Sequence, residues 1–203
     1  MNMDIIRQVN DTVIANGGIA KTSDFVAQGL DAKRIAKLCK DGYLIRVRQG
    51  YYQLADGSFS TEEQQLKTLI PEGVVCMESA LFHYGYSDFT PRKWSIAVPR
   101  TISRRKLEID SVPIQVYFVQ KSLYGIGKTE EDFSGVILPV YDRERTICDC
   151  FKFRSRMDSE TFNKALNAYA NDEKKNLGRL SDYAKELRVY NKVMELMGVL
   201  LNG

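Results

Sequence analysis

Histidine is nearly absent from this sequence: among 203 residues there is one imidazole, that of His83. The four cysteines, at positions 39, 76, 148 and 150, do not have the spacing of a secreted disulfide framework. Cys148 and Cys150 lie two residues apart in a predicted helix, so their side chains point to different faces and cannot bind one metal ion together. We therefore predict no metal site and no cofactor.

Long apolar runs are also missing. No segment has the length of a membrane-spanning helix or the pattern of a signal peptide. We expect a cytoplasmic protein with reduced thiols and no membrane partner.

The sequence contains parts of two catalytic motifs, and neither motif is complete. Ser79 and His83 lie four residues apart on a predicted helix, but no nucleophile-elbow glycine pattern accompanies them. Residues 125–128, GIGK, lack the first glycine of a phosphate-binding loop, so we interpret them as a flexible loop. We expect the protein not to be an enzyme.

The overall charge is nearly balanced, with 29 basic and 26 acidic residues. A nucleic-acid site must therefore come from local clustering of charge. Hydrophobic residues make up 44% of the chain, which is enough for the cores of two modest domains. Residues 55–61, ADGSFST, are typical of a linker and predict a boundary between domain 1–58 and domain 59–203.

Two short helices in close succession are predicted after residue 20. Thr22 and Ser23 are N-cap residue types, so the first helix should cover residues 23–28 and end at a glycine. Asp31 is a second N-cap and predicts a helix over residues 32–41. Helices joined by about two residues meet at a steep angle, as in a helix-turn-helix.

A β-hairpin follows these helices. Residues 43–48 and Tyr51–Leu54 are typical of strands, and Gln49 with Gly50 forms a tight turn between them. An amphipathic helix over residues 3–16 precedes the pair. This order of elements predicts a winged helix-turn-helix.

Basic residues cluster on the second helix and the hairpin. Within residues 33–48 six basic side chains accompany one acid, Asp41, whereas a surface helix usually mixes its charges. The pattern favours DNA binding over the alternative, a winged helix that serves only protein–protein contacts. The candidate DNA-binding residues are Thr22, Ser23, Lys33, Arg34, Lys37, Lys40, Arg46, Arg48 and Gln49.

A second basic run lies further along the chain. No acid occurs between Asp88 and Glu108. Three partners are compatible with this run: DNA outside the recognition site, an acidic face of a partner protein, or an RNA. Its basic residues are Arg92, Lys93, Arg100, Arg104, Arg105 and Lys106.

The second domain alternates strand-like and helical segments. Residues 94–98 and 113–119 alternate apolar and polar side chains and predict strands. Val136–Tyr141 predicts a third strand, which Pro139 should confine to an edge or keep short. The remainder is mostly helical, so we predict an α+β chain: a winged helix-turn-helix, then a mixed α+β domain with a small sheet and a helical C-terminus.

Residues 17–54, with the later segments ESALFHYGY, WSIAVPR and YDRERTICDCFKF, resemble the AbiEi antitoxins of bacterial type IV AbiE toxin–antitoxin systems. The resemblance extends from about Asp4 to about Leu187. It implies that the winged helix binds inverted repeats in double-stranded promoter DNA, and that the C-terminal domain counters a nucleotidyltransferase-like toxin. The DNA-binding role then falls on the basic residues already selected from charge.

The second domain leaves alternatives open. Arg145 and Asp149, within its family-like segment, fit a surface ion pair on a helix, so a purely structural role explains them. An ordinary transcription regulator whose C-terminal domain senses a small ligand is another alternative, although no ligand-binding motif is recognisable.

Overall fold

The computed structural model describes residues 3–58 and 60–202; Phe59, inside the predicted linker, lies outside the described residues. The chain divides into two compact units. Unit 1 consists of the described residues of Met1–Pro71 together with Ser103–Pro113. Unit 2 consists of those of Glu72–Ile102 and Ile114–Gly203.

Unit 1 contains four helices and a small antiparallel sheet among the residues that are described. The strand order is β1-β3-β2. The elements are α1 (Met3–Ala15), β1 (Ala20–Lys21), α2 (Thr22–Ala27), α3 (Ala32–Lys40), β2 (Leu44–Arg48), β3 (Tyr51–Leu54), α4 (Glu62–Leu69) and a 3₁₀ turn (Arg104–Leu107). The winged helix-turn-helix is therefore present, and α4 and the 3₁₀ turn belong to the same unit although they follow the predicted linker.

The core of unit 1 forms where the helical spacing predicts it. Val9 and Val13 of α1 and Ile35 and Leu38 of α3 are buried together. Leu30, in the turn between α2 and α3, joins them. Burial of one apolar stripe on α3 leaves the opposite stripe in solvent.

The start of α2 differs from the prediction. The helix begins at Thr22, and the side chain of Asp24 accepts a hydrogen bond from the backbone N–H of Lys21 at 2.7 Å. Because Asp24 supplies this acceptor, Thr22 and Ser23 lie inside the first turn and are not N-caps. For α3 the prediction is confirmed, since Asp31 Oδ1 accepts from the N–H of Arg34 at 2.8 Å.

Unit 2 is a mixed five-stranded sheet accompanied by helices, so the predicted α+β class is confirmed. Its strand order is β6-β5-β4-β8-β7. The elements are β4 (Val74–Val75), α5 (Met77–His83), β5 (Trp94–Pro99), β6 (Ile114–Val119), α6 (Lys121–Tyr124), β7 (Lys128–Phe133), β8 (Val136–Tyr141), α7 (Arg143–Lys152), a 3₁₀ turn (Arg154–Arg156), α8 (Ser159–Ala170), α9 (Leu177–Glu186) and α10 (Tyr190–Asn202).

Two strands of this sheet depart from the sequence analysis. The sequence analysis does not predict β7, whose sequence is KTEEDF. Phe133 is its only buried residue, and the charged residues before it mask the alternation of apolar and polar side chains that is typical of a strand. β7 forms the edge, so β8 lies inside the sheet despite Pro139. A residue without an N–H is tolerated there because β4 is two residues long and pairs with β8 only at Val75 and Val140.

The loop before β7 is packed, and its interpretation as flexible was wrong. Gly127 has a φ of +69° and its carbonyl accepts a hydrogen bond from the N–H of Asp142 at 2.7 Å. A Cβ at this position would overlap Cβ of Arg145 and lie 2.9 Å from Oδ1 of Asp142. A glycine is required here by both the backbone conformation and the close approach of α7.

We expect Gly127→Ala to lower the free energy of unfolding by about 2–4 kcal/mol, since overpacking adds to the strain of a left-handed backbone. Chemical denaturation of the purified variant measures the change. Gly125→Ala is the matched control, because nothing lies within 4 Å of its Cβ position. Equal stability of the two variants would contradict the packing described here.

The segment from Glu144 to Phe151 of α7 is buried throughout. The Arg145–Asp149 pair, expected on the surface, is therefore an internal ion pair, with the side chains 0% and 2% exposed and Nε 3.1 Å from Oδ2. None of the described helices is long and apolar enough to span a membrane.

Candidate nucleic-acid interface

The outward face of α3 is a row of cations. Lys33, Lys37 and Lys40 are all exposed, and their spacing of four and three residues places them along one side of the helix. On the other side Ile35 and Leu38 are each 2% exposed. The packing of the apolar stripe thus fixes which way the lysines point.

Arg34 is exposed as well, but its side chain turns back toward the preceding turn. Its Nη1 lies 3.4 Å from the carbonyl oxygen of Gly29, where α2 has ended. The guanidinium group therefore sits near the junction of the two helices, at the N-terminal end of α3.

The wing contains a β-bulge. Arg46 pairs with Tyr52 and Arg48 with Tyr51, so Val47 has no partner in the register and is buried. Arg46 is exposed. Burial raises the pKa of the Cys39 thiol on α3, and the charge of Arg46 lowers it.

Arg48 lies at the end of β2, and its side chain forms hydrogen bonds within unit 1. Its Nη1 donates to the carbonyl oxygens of Leu69 at 2.6 Å and Lys106 at 3.1 Å. The guanidinium group also stacks 4.2 Å from the ring centroid of Tyr51. These contacts join the wing to α4 and the 3₁₀ turn, so Arg48 holds the wing in place.

The tip of the wing meets the start of α2. The backbone N–H of Thr22 donates to the carbonyl oxygen of Gly50 at 2.9 Å, and its Oγ1 is 3.5 Å from the same oxygen. Gln49 and Ser23 are exposed beside this contact. The two polar residues at the start of α2 and the wing tip are therefore neighbours, although 28 residues separate Thr22 from Gly50.

The second basic run does not form one patch in a single unit. Arg92, Lys93 and Arg100 belong to unit 2, because the chain returns to unit 1 at Ser103. Arg104, Arg105 and Lys106 lie in the 3₁₀ turn of unit 1.

Part of this run reaches the wing. Arg105 and Lys106 line a cavity of about 540 Å³ together with Arg46, Arg48 and Gln49. Glu108 and Asp110 also line it. The run of charges indicates a functional surface. Its position beside the wing could not be predicted from the sequence, because nearly sixty residues separate Arg48 from Lys106.

The two wing arginines should respond differently to removal of charge. We expect Arg46→Gln to weaken DNA binding several-fold at unchanged stability, because its side chain is exposed. Arg48→Gln should lower the free energy of unfolding by about 1–3 kcal/mol, because two carbonyl oxygens lose a charged donor. Gel-shift titration and urea unfolding of both variants measure the contrast, and a stability loss confined to Arg46→Gln would contradict it.

Comparisons with known proteins bear on this surface. No curated protein matches the chain. The fold is similar to that of the crystal structure of the RV2827C protein from Mycobacterium tuberculosis, with a TM-score of 0.67 over 99% of this chain and 82% of that chain. The sequences are 13% identical, so the likeness concerns the fold alone.

A family model matches the segment that forms this surface. Residues 7–55, from within α1 to just beyond β3, match the model described as "Transcriptional regulator, AbiEi antitoxin". The match includes the whole helix-turn-helix and its wing. The winged helix of this chain is therefore similar to that of the AbiEi antitoxin transcriptional regulators, the family that its sequence resembles.

Proposed function

We propose that this protein is the antitoxin and autorepressor of a bacterial type IV toxin–antitoxin operon, and that it acts without catalysis of its own. The observation that carries the proposal is the row of exposed cations on α3 within the segment that matches the AbiEi family model. The partners are double-stranded promoter DNA with inverted repeats and a nucleotidyltransferase-like toxin.

DNA recognition begins with electrostatic attraction of the phosphate backbone to the basic surface. The helix α3 then enters the major groove, and the wing lies on the adjacent backbone. Lys33, Arg34 and Lys37 are closest to the base edges because they occupy the N-terminal part of α3. Lys40 and Arg46 contact phosphates, which fixes the register of the helix.

Arg48 has a positioning role in this mechanism. A wing that must follow the phosphate backbone needs a defined orientation relative to α3. The hydrogen bonds from Arg48 to Leu69 and Lys106 supply that orientation within unit 1. Arg105 and Lys106 extend the basic surface next to it.

Inverted repeats place two copies of the chain on one operator. Two recognition helices then lie about one or more turns of DNA apart, each with its own row of cations. This arrangement needs no dimer before binding. It also doubles the number of phosphate contacts and therefore steepens the dependence of affinity on salt.

We assign the toxin-countering role to the C-terminal domain.

Two assays test both roles. The first uses a reporter fused to the DNA upstream of the gene, and the second measures growth of cells that express the neighbouring nucleotidyltransferase gene. The full chain should repress the reporter and restore growth. The variant with Lys33→Glu and Lys37→Glu should lose repression and still restore growth.

The outcomes are distinct. If the full chain represses the reporter but does not restore growth, the protein is a transcription regulator and not an antitoxin. A chain that restores growth without binding DNA would favour a winged helix used for protein contacts. Loss of both functions in the folded double variant would contradict separate surfaces for the two roles.

A further inference from the structure

We propose that unit 2 binds a small phosphorylated ligand of the nucleotide class in a cavity beside Arg145. The cavity lies outside the DNA-binding surface, and the proposal does not depend on DNA binding. Its volume is about 720 Å³, which is within the range of small-molecule sites. Its basic lining residues are Arg100, Arg145, Lys152, Lys185 and Arg188.

The charge of this cavity is strongly unbalanced. Glu186 is the one carboxylate among the residues that line it in the described part of the chain, against five cations. Two of these, Arg145 and Lys185, form ion pairs with Asp149 and Asp182, and Arg100, Lys152 and Arg188 supply the remaining positive charge. Cations in a shared cleft repel one another, so the arrangement is stabilised by an anion that enters it. Several negative charges on one ligand, as on a diphosphate, match the number of cations better than a single carboxylate.

The side chain of Arg145 has a fixed orientation beside the cavity. Its Nη1 donates to the carbonyl oxygens of Leu123 at 2.7 Å and Ile126 at 2.8 Å, and its Nε donates to Asp149. Its Nη2 finds no hydrogen-bond partner among the residues that the structure describes. Because Nη2 also has almost no accessible surface, the guanidinium group acts on a bound anion through its charge, from behind the wall of the cavity.

Lys152 lies within the field of the other cations. Burial lowers the pKa of its ammonium group, and Asp149 opposes this. The guanidinium groups of Arg145, Arg100 and Arg188 lower the pKa further. The same interactions would favour an anion placed among these side chains.

The remaining wall suits a flat, apolar ring. Phe118 and Phe153 are half-buried and line the cavity, with Leu123 and Leu187. Aromatic side chains beside cationic ones bind a base and a phosphate group together. This combination favours a nucleotide over inorganic phosphate.

The size of the cavity favours a small molecule over a nucleic acid. Its volume of about 720 Å³ is that of a site for one small ligand. The side chain of Arg145 is 0% exposed and lies behind the cavity surface, so a ligand meets its charge and not its N–H groups.

Calorimetric titration and thermal unfolding of the full chain test the proposal with ADP, tripolyphosphate and adenosine as probes. We expect ADP to bind and to raise the melting temperature, tripolyphosphate to bind more weakly, and adenosine to bind weakest. Lys152→Gln and Arg188→Gln should each weaken ADP binding about tenfold, because each removes a charged donor. Lys192→Gln removes the same charge from an exposed site on α10 and should leave ADP binding unchanged.

Lys185→Gln repeats the test at an exposed side chain, where loss of folding is not at issue. Absence of binding by all three probes would overturn the proposal. So would equal binding of adenosine and ADP, or equal weakening by Lys192→Gln. Displacement of ADP by duplex DNA from the variant with Lys33→Glu and Lys37→Glu would assign the cavity to nucleic-acid phosphate and overturn the small-molecule assignment.

Discussion

Replacement of Lys33 and Lys37 together by glutamate is expected to lower the affinity for promoter DNA at least about 100-fold, since each base contact contributes about 1–3 kcal/mol. Each substitution removes a favourable contact and places a carboxylate near the phosphates. Both side chains are exposed on α3, so the free energy of unfolding should not change. A gel-shift titration at fixed salt measures the loss.

The dependence on salt makes this prediction sharper. If the positive charges of Lys33, Arg34, Lys37, Lys40 and Arg46 each release one counterion from the DNA, log K should fall against log salt with a slope of roughly −4.5 per bound chain. The double variant should have a slope of roughly −2.7 per chain, because three contacts remain. Arg48 is left out of this number because its guanidinium group is bonded within unit 1.

A control variant separates the site from the overall charge. Lys174→Glu with Lys192→Glu changes the net charge by the same amount at exposed positions of unit 2. It should keep the slope of the original chain and lose little affinity. An equal loss in the control would mean that net charge, and not the face of α3, governs binding.

The basic face of α3 could be predicted from the sequence because its signals are local. The cap at Asp31 and the spacing of Ile35 and Leu38 define α3 and its buried side, and the lysines then fall on the other side. Such local signals predict the helix-turn-helix, the wing and the α+β class. Even the error at the start of α2 is local, since Lys21 takes the N-cap position and Asp24 accepts a hydrogen bond from its backbone N–H.

The remaining features depend on contacts between distant residues. The charge of Arg48 indicates a DNA contact, and only the positions of Leu69 and Lys106 show that it is used inside unit 1. Arg145 and Asp149 have the spacing of a surface pair, but α7 is covered on all sides. Periodicity cannot reveal such burial, because the helix carries charged residues that pair with each other in the interior.

Replacement of Arg145 by methionine is expected to destabilise the protein by about 3–5 kcal/mol, because one partner of a buried ion pair is removed. The carboxylate of Asp149 would stay in the core without its donor, and the carbonyl oxygens of Leu123 and Ile126 would lose theirs. The ring of Tyr141, 4.1 Å from the guanidinium carbon, would lose a cation–π contact as well. Urea unfolding measures the change, and Arg179→Met, at an exposed position, is the control.

Substitution of Asp149 as well as Arg145 tests whether the buried ion pair serves stability or ligand binding. Burial raises the pKa of Asp149, and the charge of Arg145 lowers it. Each charge therefore offsets part of the desolvation cost of burying the other. A variant with both Arg145→Met and Asp149→Leu should therefore recover a large part of the stability that Arg145→Met alone loses. A chain that is stable without the pair yet no longer binds ADP would show that the pair serves the cavity. Full ADP binding by that double variant would show that the guanidinium group contributes only to folding, and would remove Arg145 from the proposed site.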